Sequence, residues 1–252
     1  MADAGLTYRF LRYEFKYILK RSLRNHIERE IRFFMQLDPF VQSLPEKKYP
    51  VRSLYFDDPH YTFYYEKIDG MLHRTKFRMR TYACEWQPDM PLFLERKGRH
   101  NNFVFKHRVL LDGACREAVG DGRMGELHGL MAADLEKQEL YRQFCYDVYR
   151  KRITPVMLID YCRRPYVSRY DYEFRLTFDD ALRGTRTGLL HPPGGTALGR
   201  NLLPGHTILE IKFARHIPAW FHRILKTYEL TRVSVSKYCL GMDRSGLVTK
   251  LE

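Results

Sequence analysis

The chain has 252 residues, 44% hydrophobic and 29% charged, proportions that set aside intrinsic disorder. Its 43 Lys and Arg against 30 Asp and Glu leave a formal charge of +13, which repels itself unless it is dispersed or meets an anionic partner. Nucleic acid, an anionic membrane surface and a small polyanion such as a nucleotide or polyphosphate are the partner classes this admits. Cys84, Cys115, Cys145, Cys162 and Cys239 are scattered without a C-x-x-C pair, which argues against a disulfide framework or a thiolate zinc site. The opening MADAGLTYRF lacks the apolar core of a signal peptide, and no stretch approaches the length of a membrane span. The expectation is a reduced, cytoplasmic protein without membrane insertion, folded as one domain over residues 1–252.

Period-two alternation dominates. From Tyr8 to Leu19, Leu11, Tyr13, Phe15, Tyr17 and Leu19 share one strand face, with Arg12, Glu14 and Lys16 on the other. A helix is predicted over Leu23–Leu37 behind a Ser22 cap, from apolar residues at helical spacing. A short strand over Val51–Phe56 ends in the turn signal Asp57-Asp58-Pro59. The clearest strand, Arg74–Tyr82, sets Arg74, Lys76, Arg78 and Arg80 on one face against Thr75, Phe77, Met79 and Thr81. Leu92–Lys97 and Phe103–Leu110 form the next pair, with Glu95 and Lys97 on one face of the first and Lys106 and Arg108 on one face of the second. A long amphipathic helix is predicted over Glu126–Lys151, then a hairpin of Val156–Tyr166 and Tyr172–Phe178. Residues 183–205, rich in Gly and Pro, read as a loop. Ile208–Phe213 is a strand, Pro218–Leu230 a helix, and a last short segment runs through Val235 and Lys237.

Charged strand faces ordinarily point to solvent. Here amphipathic helices need an apolar surface to cover, and the apolar strand faces supply one if they point outward. The row Arg74, Lys76, Arg78, Arg80 places cations about 7 Å apart, so it repels itself unless anions lie against it. A closed barrel with helices outside and the cations lining its bore satisfies both conditions. The predicted class is therefore α+β. Arginine suits phosphate through bidentate contacts and lysine through point charge. The acids among these cations, Glu14, Glu95, Glu173, Asp179 and Glu210, are too few to neutralise the bore, and a divalent metal with phosphate ligands needs only one or two of them.

The segments RYEFKYIL, LYFDD, KFRMRTY, LERKGR, FKHRV, TPVMLIDYCRRPY, FRLTFDDAL, ILEIKF and SVSKYCLGM follow one another in the order seen in VTC domains, from about Tyr8 to Met242. The chain resembles this polyphosphate-polymerase family of the triphosphate tunnel metalloenzyme (CYTH-like) superfamily. The resemblance implies an eight-stranded antiparallel tunnel and transfer of the γ-phosphate of ATP to a growing polyphosphate chain, with Mg or Mn as cofactor. It implies phosphate-binding roles for Lys16, Arg78, Arg80, Lys97, Lys106, Arg108, Arg164, Arg175 and Lys237, and metal binding by Glu210 with Glu14. All of these cations but Arg108 are also implied to act in catalysis.

Many superfamily hydrolases begin E-x-E-x-K, whereas this chain has Arg12-Tyr13-Glu14-Phe15-Lys16, a departure that favours the polymerase branch. A tripolyphosphatase or nucleoside triphosphatase on the same fold, and a non-enzymatic polyphosphate-binding module, are the alternatives. Nucleic acid is disfavoured because no helix-turn-helix, zinc-finger or RNP-like pattern occurs and a narrow bore excludes a duplex. A P-loop motif is absent from the sequence. A separate membrane-protein partner is implied by the resemblance alone, and the oligomeric state is open.

Overall fold

The computed structural model describes residues 13–101, 103–132, 139–171 and 173–248. Among them ten strands form one sheet: β1 (Tyr13–Lys20), β2 (Met35–Leu37), β3 (Tyr49–Asp57), β4 (His73–Thr81), β5 (Phe93–His100), β6 (Phe103–Leu110), β7 (Thr154–Ser168), β8 (Arg175–Arg186), β9 (Arg200–Asn201) and β10 (His206–Phe213). Their order is β1-β10-β8-β7-β3-β4-β5-β6, with β2 on β7 and β9 on β8, and the ladders are antiparallel. The α+β class stands, but the closed eight-stranded barrel does not. No ladder joins β6 back to β1 among the described residues. One cause is visible at β1, where the Val233 amide donates to the Lys16 carbonyl at 2.8 Å and occupies that edge. The sheet still curls until its ends approach, since the Lys97 ammonium on β5 lies 3.4 Å from the Glu14 carboxylate on β1.

The helices are α1 (Arg21–Ile31), α2 (Pro39–Gln42), α3 (Thr62–Ile68), α4 (Gly113–Gly120), α5 (Leu127–Ala132), α6 (Glu139–Lys151), α7 (Ala219–Thr227) and α8 (Lys237–Ser245). The alternation read from the sequence decides which face each layer covers. Leu54, Phe56, Phe77, Met79 and Leu94 point outward and pack beneath α4–α6 through Val119, Met131 and Phe144. Tyr17, Leu19, Leu176, Phe178 and Leu209 pack beneath α1 and α7 through Ile27, Ile31, Phe221 and Ile224. Each such buried side chain contributes about 2 kcal/mol, so the inward turn of the charged faces follows from where the apolar faces gain most.

Helix α8 breaks the pattern. Tyr238 and Met242 pack on Tyr55, Met157, Ile159 and Ile208, which belong to the inner face, so α8 stops one end of the trough from within. It starts because Ser236 accepts from the Cys239 amide and stops at Gly246, which takes the left-handed conformation (φ 70°). The last segment, through Val235 and Lys237, is thus the entry to a helix and no strand.

Three other boundaries differ from expectation. The first helix ends at Ile31, and Lys20, not Ser22, stands at its cap position without a side-chain bond. Met35–Leu37 instead pairs with Tyr166–Ser168, a long-range ladder that no local pattern announces. The predicted 126–151 helix is seen as α5 and α6, with 133–138 outside the described residues. In the supposed loop, β8 runs on to Arg186 and β9 pairs with it. Arg12 lies outside the described residues.

Candidate functional site on the inner face

Glu95 is the centre of the first group. Its carboxylate has no exposed surface and lies 2.6 Å from Arg78 Nη2, 2.7 Å from Lys106 Nζ, 3.3 Å from Arg108 Nε and 3.9 Å from Arg80 Nη1. The register explains this gathering, because Glu95 sits opposite Arg78 on β4 and opposite Arg108 on β6. Burial opposes its charge, but Arg78, Arg80 and Lys106 outweigh burial and hold the carboxyl well below its ordinary value. Arg78 also donates to the Tyr55 hydroxyl at 2.9 Å, and Arg80 to Ser53 Oγ at 3.0 Å. Burial resists ionisation of Tyr55, yet Arg78, Arg80 and Lys76 draw its phenol down to about 7.

The second group spans β1 and β10. Lys16 lies 2.8 Å from Glu14, and Glu14 reaches across to Lys97 at 3.4 Å. Glu210, opposite Lys16 in register, meets Lys212 at 3.0 Å. Despite burial, the surrounding cations keep both carboxyls ionised, each far below the usual range. Burial, only partly offset by their carboxylate partners, lowers Lys97 and Lys106 to about 8. The third group is Asp179, bound by Arg163 at 2.7 and 2.8 Å and by Lys237 at 2.7 Å. Arg163 also comes within 4.0 Å of Glu210 and so links the second and third groups.

Aromatic rings line the end of the trough away from α8. Tyr49 meets Tyr82 at 5.6 Å between centroids, Tyr82 meets Phe93 at 6.3 Å, and the Arg108 guanidinium lies 3.4 Å over Phe93. Two apolar or π surfaces beside cations suit a ligand with a planar ring at one end and phosphates at the other.

Of the residues predicted from sequence, Lys16, Arg78, Arg80, Lys97, Lys106, Arg108, Lys237, Glu210 and Glu14 come together here. Arg175 belongs to the same face but stands exposed at its rim, beside Lys212 in register. Arg164 does not join them. It lies on the opposite face, bound to Glu28 of α1 at 2.8 Å and to the Glu46 carbonyl at 3.0 Å. Its neighbour Arg163 takes the inward position, because Tyr161 and Arg163 share the parity of Met157 and Ile159. Sequence reasoning also gave no role to Glu95 or Asp179 as anchors, or to Tyr55 and Tyr161. Their signal was parity: Tyr55 stands opposite Arg78, and Glu95 shares a face with Lys97.

Two ionised carboxylates on one face, Glu14 and Glu210, suit a divalent cation that draws its other ligands from phosphate. No group of three His, Cys, Asp or Glu side chains among the described residues forms a cage able to hold a metal without such ligands.

A search of curated proteins finds no match. Among solved structures, a protein of Pyrococcus horikoshii OT3 aligns with a TM-score of 0.47 at 13% identity, covering 92% of this chain and 99% of its own. A "putative adenylate cyclase" of Bacillus halodurans aligns with a TM-score of 0.50 at 11% identity, covering 90% of this chain and 93% of its own, a likeness of fold alone. The model of the VTC domain matches residues 11–245, a span that takes in every strand of the sheet and all three ionic groups. The chain belongs to the VTC domain family.

Proposed function

We propose that the protein is an ATP-dependent polyphosphate polymerase, a phosphotransferase that moves the γ-phosphate of ATP onto a growing polyphosphate chain in the inner trough. The observation that carries this reading is the convergence of Arg78, Arg80, Lys106 and Arg108 on one buried carboxylate. Four cations around a single anion leave excess positive charge, and a chain of phosphates supplies what is lacking. Family membership supports polyphosphate chemistry at the coarse level.

In this reading ATP enters at the aromatic end, its base against Tyr82 or Tyr49 and its phosphates along Arg108, Arg80 and Arg78. Lys16, Lys97, Arg163 and Lys237 hold the acceptor chain, and Arg175 meets it at the rim. The terminal acceptor oxygen attacks the γ-phosphorus in line, the bond from that phosphorus to the β,γ-bridging oxygen breaks, and ADP leaves. The acceptor is already anionic, so positioning and charge neutralisation suffice and no general base is required. Glu210 with Glu14 would hold Mg or Mn, which supplies further neutralisation of the phosphates.

The test is incubation with ATP and Mn²⁺ or Mg²⁺, following ADP, orthophosphate and polymer on a gel. A polymer ladder with ADP, lost in Arg78→Ala and in Glu210→Ala, is the expected result. Orthophosphate without polymer would replace the polymerase by a hydrolase, and salt-sensitive polyphosphate binding without turnover would leave a binding module.

A further inference from the structure

Where α3 hands over to β4, six consecutive residues, Ile68 to His73, are exposed, and Gly70 makes the turn at φ 70°. Ile68, Met71 and Leu72 are 51%, 53% and 62% exposed, and Val104 on β6 is 52% exposed. The four belong to one tip. The Leu72 carbonyl accepts from the Asn101 amide at 3.0 Å, the His73 and His100 rings are 4.0 Å apart, and Val104 pairs with Arg99, which pairs with Arg74. Large apolar side chains gathered on a projecting turn form a patch of the kind that marks an interaction surface.

Cations rim this patch. Arg74 and Arg99 face each other across the ladder, and burial together with their repulsion weakens the hold of Lys67 and Arg74 on their protons. Three cations, Lys67, Arg74 and Arg99, stand beside two carboxylates, and Glu66 attracts Arg74. Glu66 accepts from the Thr75 amide, leaving Asp69 as the other carboxylate on the turn. Apolar side chains that can sink a few ångströms, surrounded by Lys and Arg, match the layered chemistry of an anionic bilayer: acyl chains below, phosphate and carboxylate at the surface. A nucleic acid would leave the apolar side chains in water.

We propose that the Ile68–His73 tip, with Val104, is a peripheral docking surface for an anionic phospholipid bilayer. It lies at the end of the sheet stopped by α8, so docking leaves the aromatic end free. The inference stands apart from the polymerase reading, because none of the four apolar residues lies in the three ionic groups.

The experiment is sedimentation of the whole chain with vesicles of phosphatidylcholine, with and without phosphatidylserine. Binding to the serine-containing vesicles alone is expected, weakened at least tenfold in Met71→Asp/Leu72→Asp and about fivefold in Lys67→Gln. Arg78→Ala, which alters the trough and not the tip, is run beside these variants; binding lost in Arg78→Ala would assign the vesicles to the trough and overturn the proposal. Should the aspartate pair fail to fold, Leu72→Cys in a Cys84→Ser background carries an environment-sensitive fluorophore, whose emission shifts to the blue on serine-containing vesicles. No shift, no binding by the unaltered chain, or equal binding by the tip variants overturns the proposal.

Discussion

Glu95 carries a single negative charge among four cations, and its side chain has no contact with solvent. Replacing it by glutamine leaves those cations uncompensated in a partly buried wall, which costs about 3 kcal/mol. Tripolyphosphate restores the missing charge. Glu95→Gln therefore melts lower than the unaltered chain, and added tripolyphosphate raises its Tm by more than it raises that of the unaltered chain.

Lys97 and Lys106 make a second prediction, with opposite signs for binding and stability. Both titrate at about 8 when the trough is empty, below the ordinary 10.5. As pH rises through 8 they lose the protons that a phosphate needs, and tripolyphosphate affinity measured by calorimetry falls by up to about tenfold per pH unit for each. Between about 8 and 10.5 the unfolded chain holds protons that the folded chain lacks, so over that window these two lysines favour folding more as pH rises.

Arg163 and Arg164 show where sequence reasoning ran out at this scale. In Arg74–Tyr82 the cations alternate with apolar residues, so the inward set was legible. In the later strand two arginines adjoin, and the inward face also carries Met157, Ile159 and Tyr161, so the polarity pattern did not choose between them. The pair separates by assay: Arg163→Ala weakens polyphosphate binding at least tenfold with Asp179 left unpaired by arginine. Arg164→Ala lowers stability by about 1–3 kcal/mol, through the buried Glu28 it deserts, and leaves affinity unchanged.

Among the elements, the strands with clean alternation were legible and the pieces defined by long-range contact were not. Strand β2 exists because β7 offers an edge, and α3 because Asp57 accepts from the Phe63 and Tyr64 amides while Tyr238 donates to it. Helix α8 was missed for a related reason. Its apolar residues face a concave wall that exists only after the sheet has curled. The close fit centres on Gly241, where a β-carbon would lie 2.7 Å from Ile159 Cδ1 and 3.0 Å from Met157. Gly241→Val overfills that contact and lowers unfolding free energy in urea by about 1–3 kcal/mol.

At the scale of the whole molecule, the excess charge and the outward apolar faces pointed to a closed barrel lined with cations; the structure keeps the cation-lined inner face and leaves the sheet open among the described residues. Closure was not legible, because whether the last strand finds the first depends on which segment reaches the β1 edge, and Val233 does so. Across that seam the Glu14–Lys97 pair bridges β1 and β5, and among the described residues no ladder does so.

The internal pairing of the trough has one more consequence, for selectivity. The cations of the three ionic groups already touch carboxylates, four of them sharing Glu95, so a lone orthophosphate or sulfate trades part of one contact for another and gains little. A chain of phosphates makes several such exchanges within one molecule, where every link after the first acts at high effective concentration. Affinity is then a matter of avidity: negligible for monomeric anions and rising steeply from pyrophosphate to longer chains. On the proposed function, the carboxylates within the trough would act as a length filter.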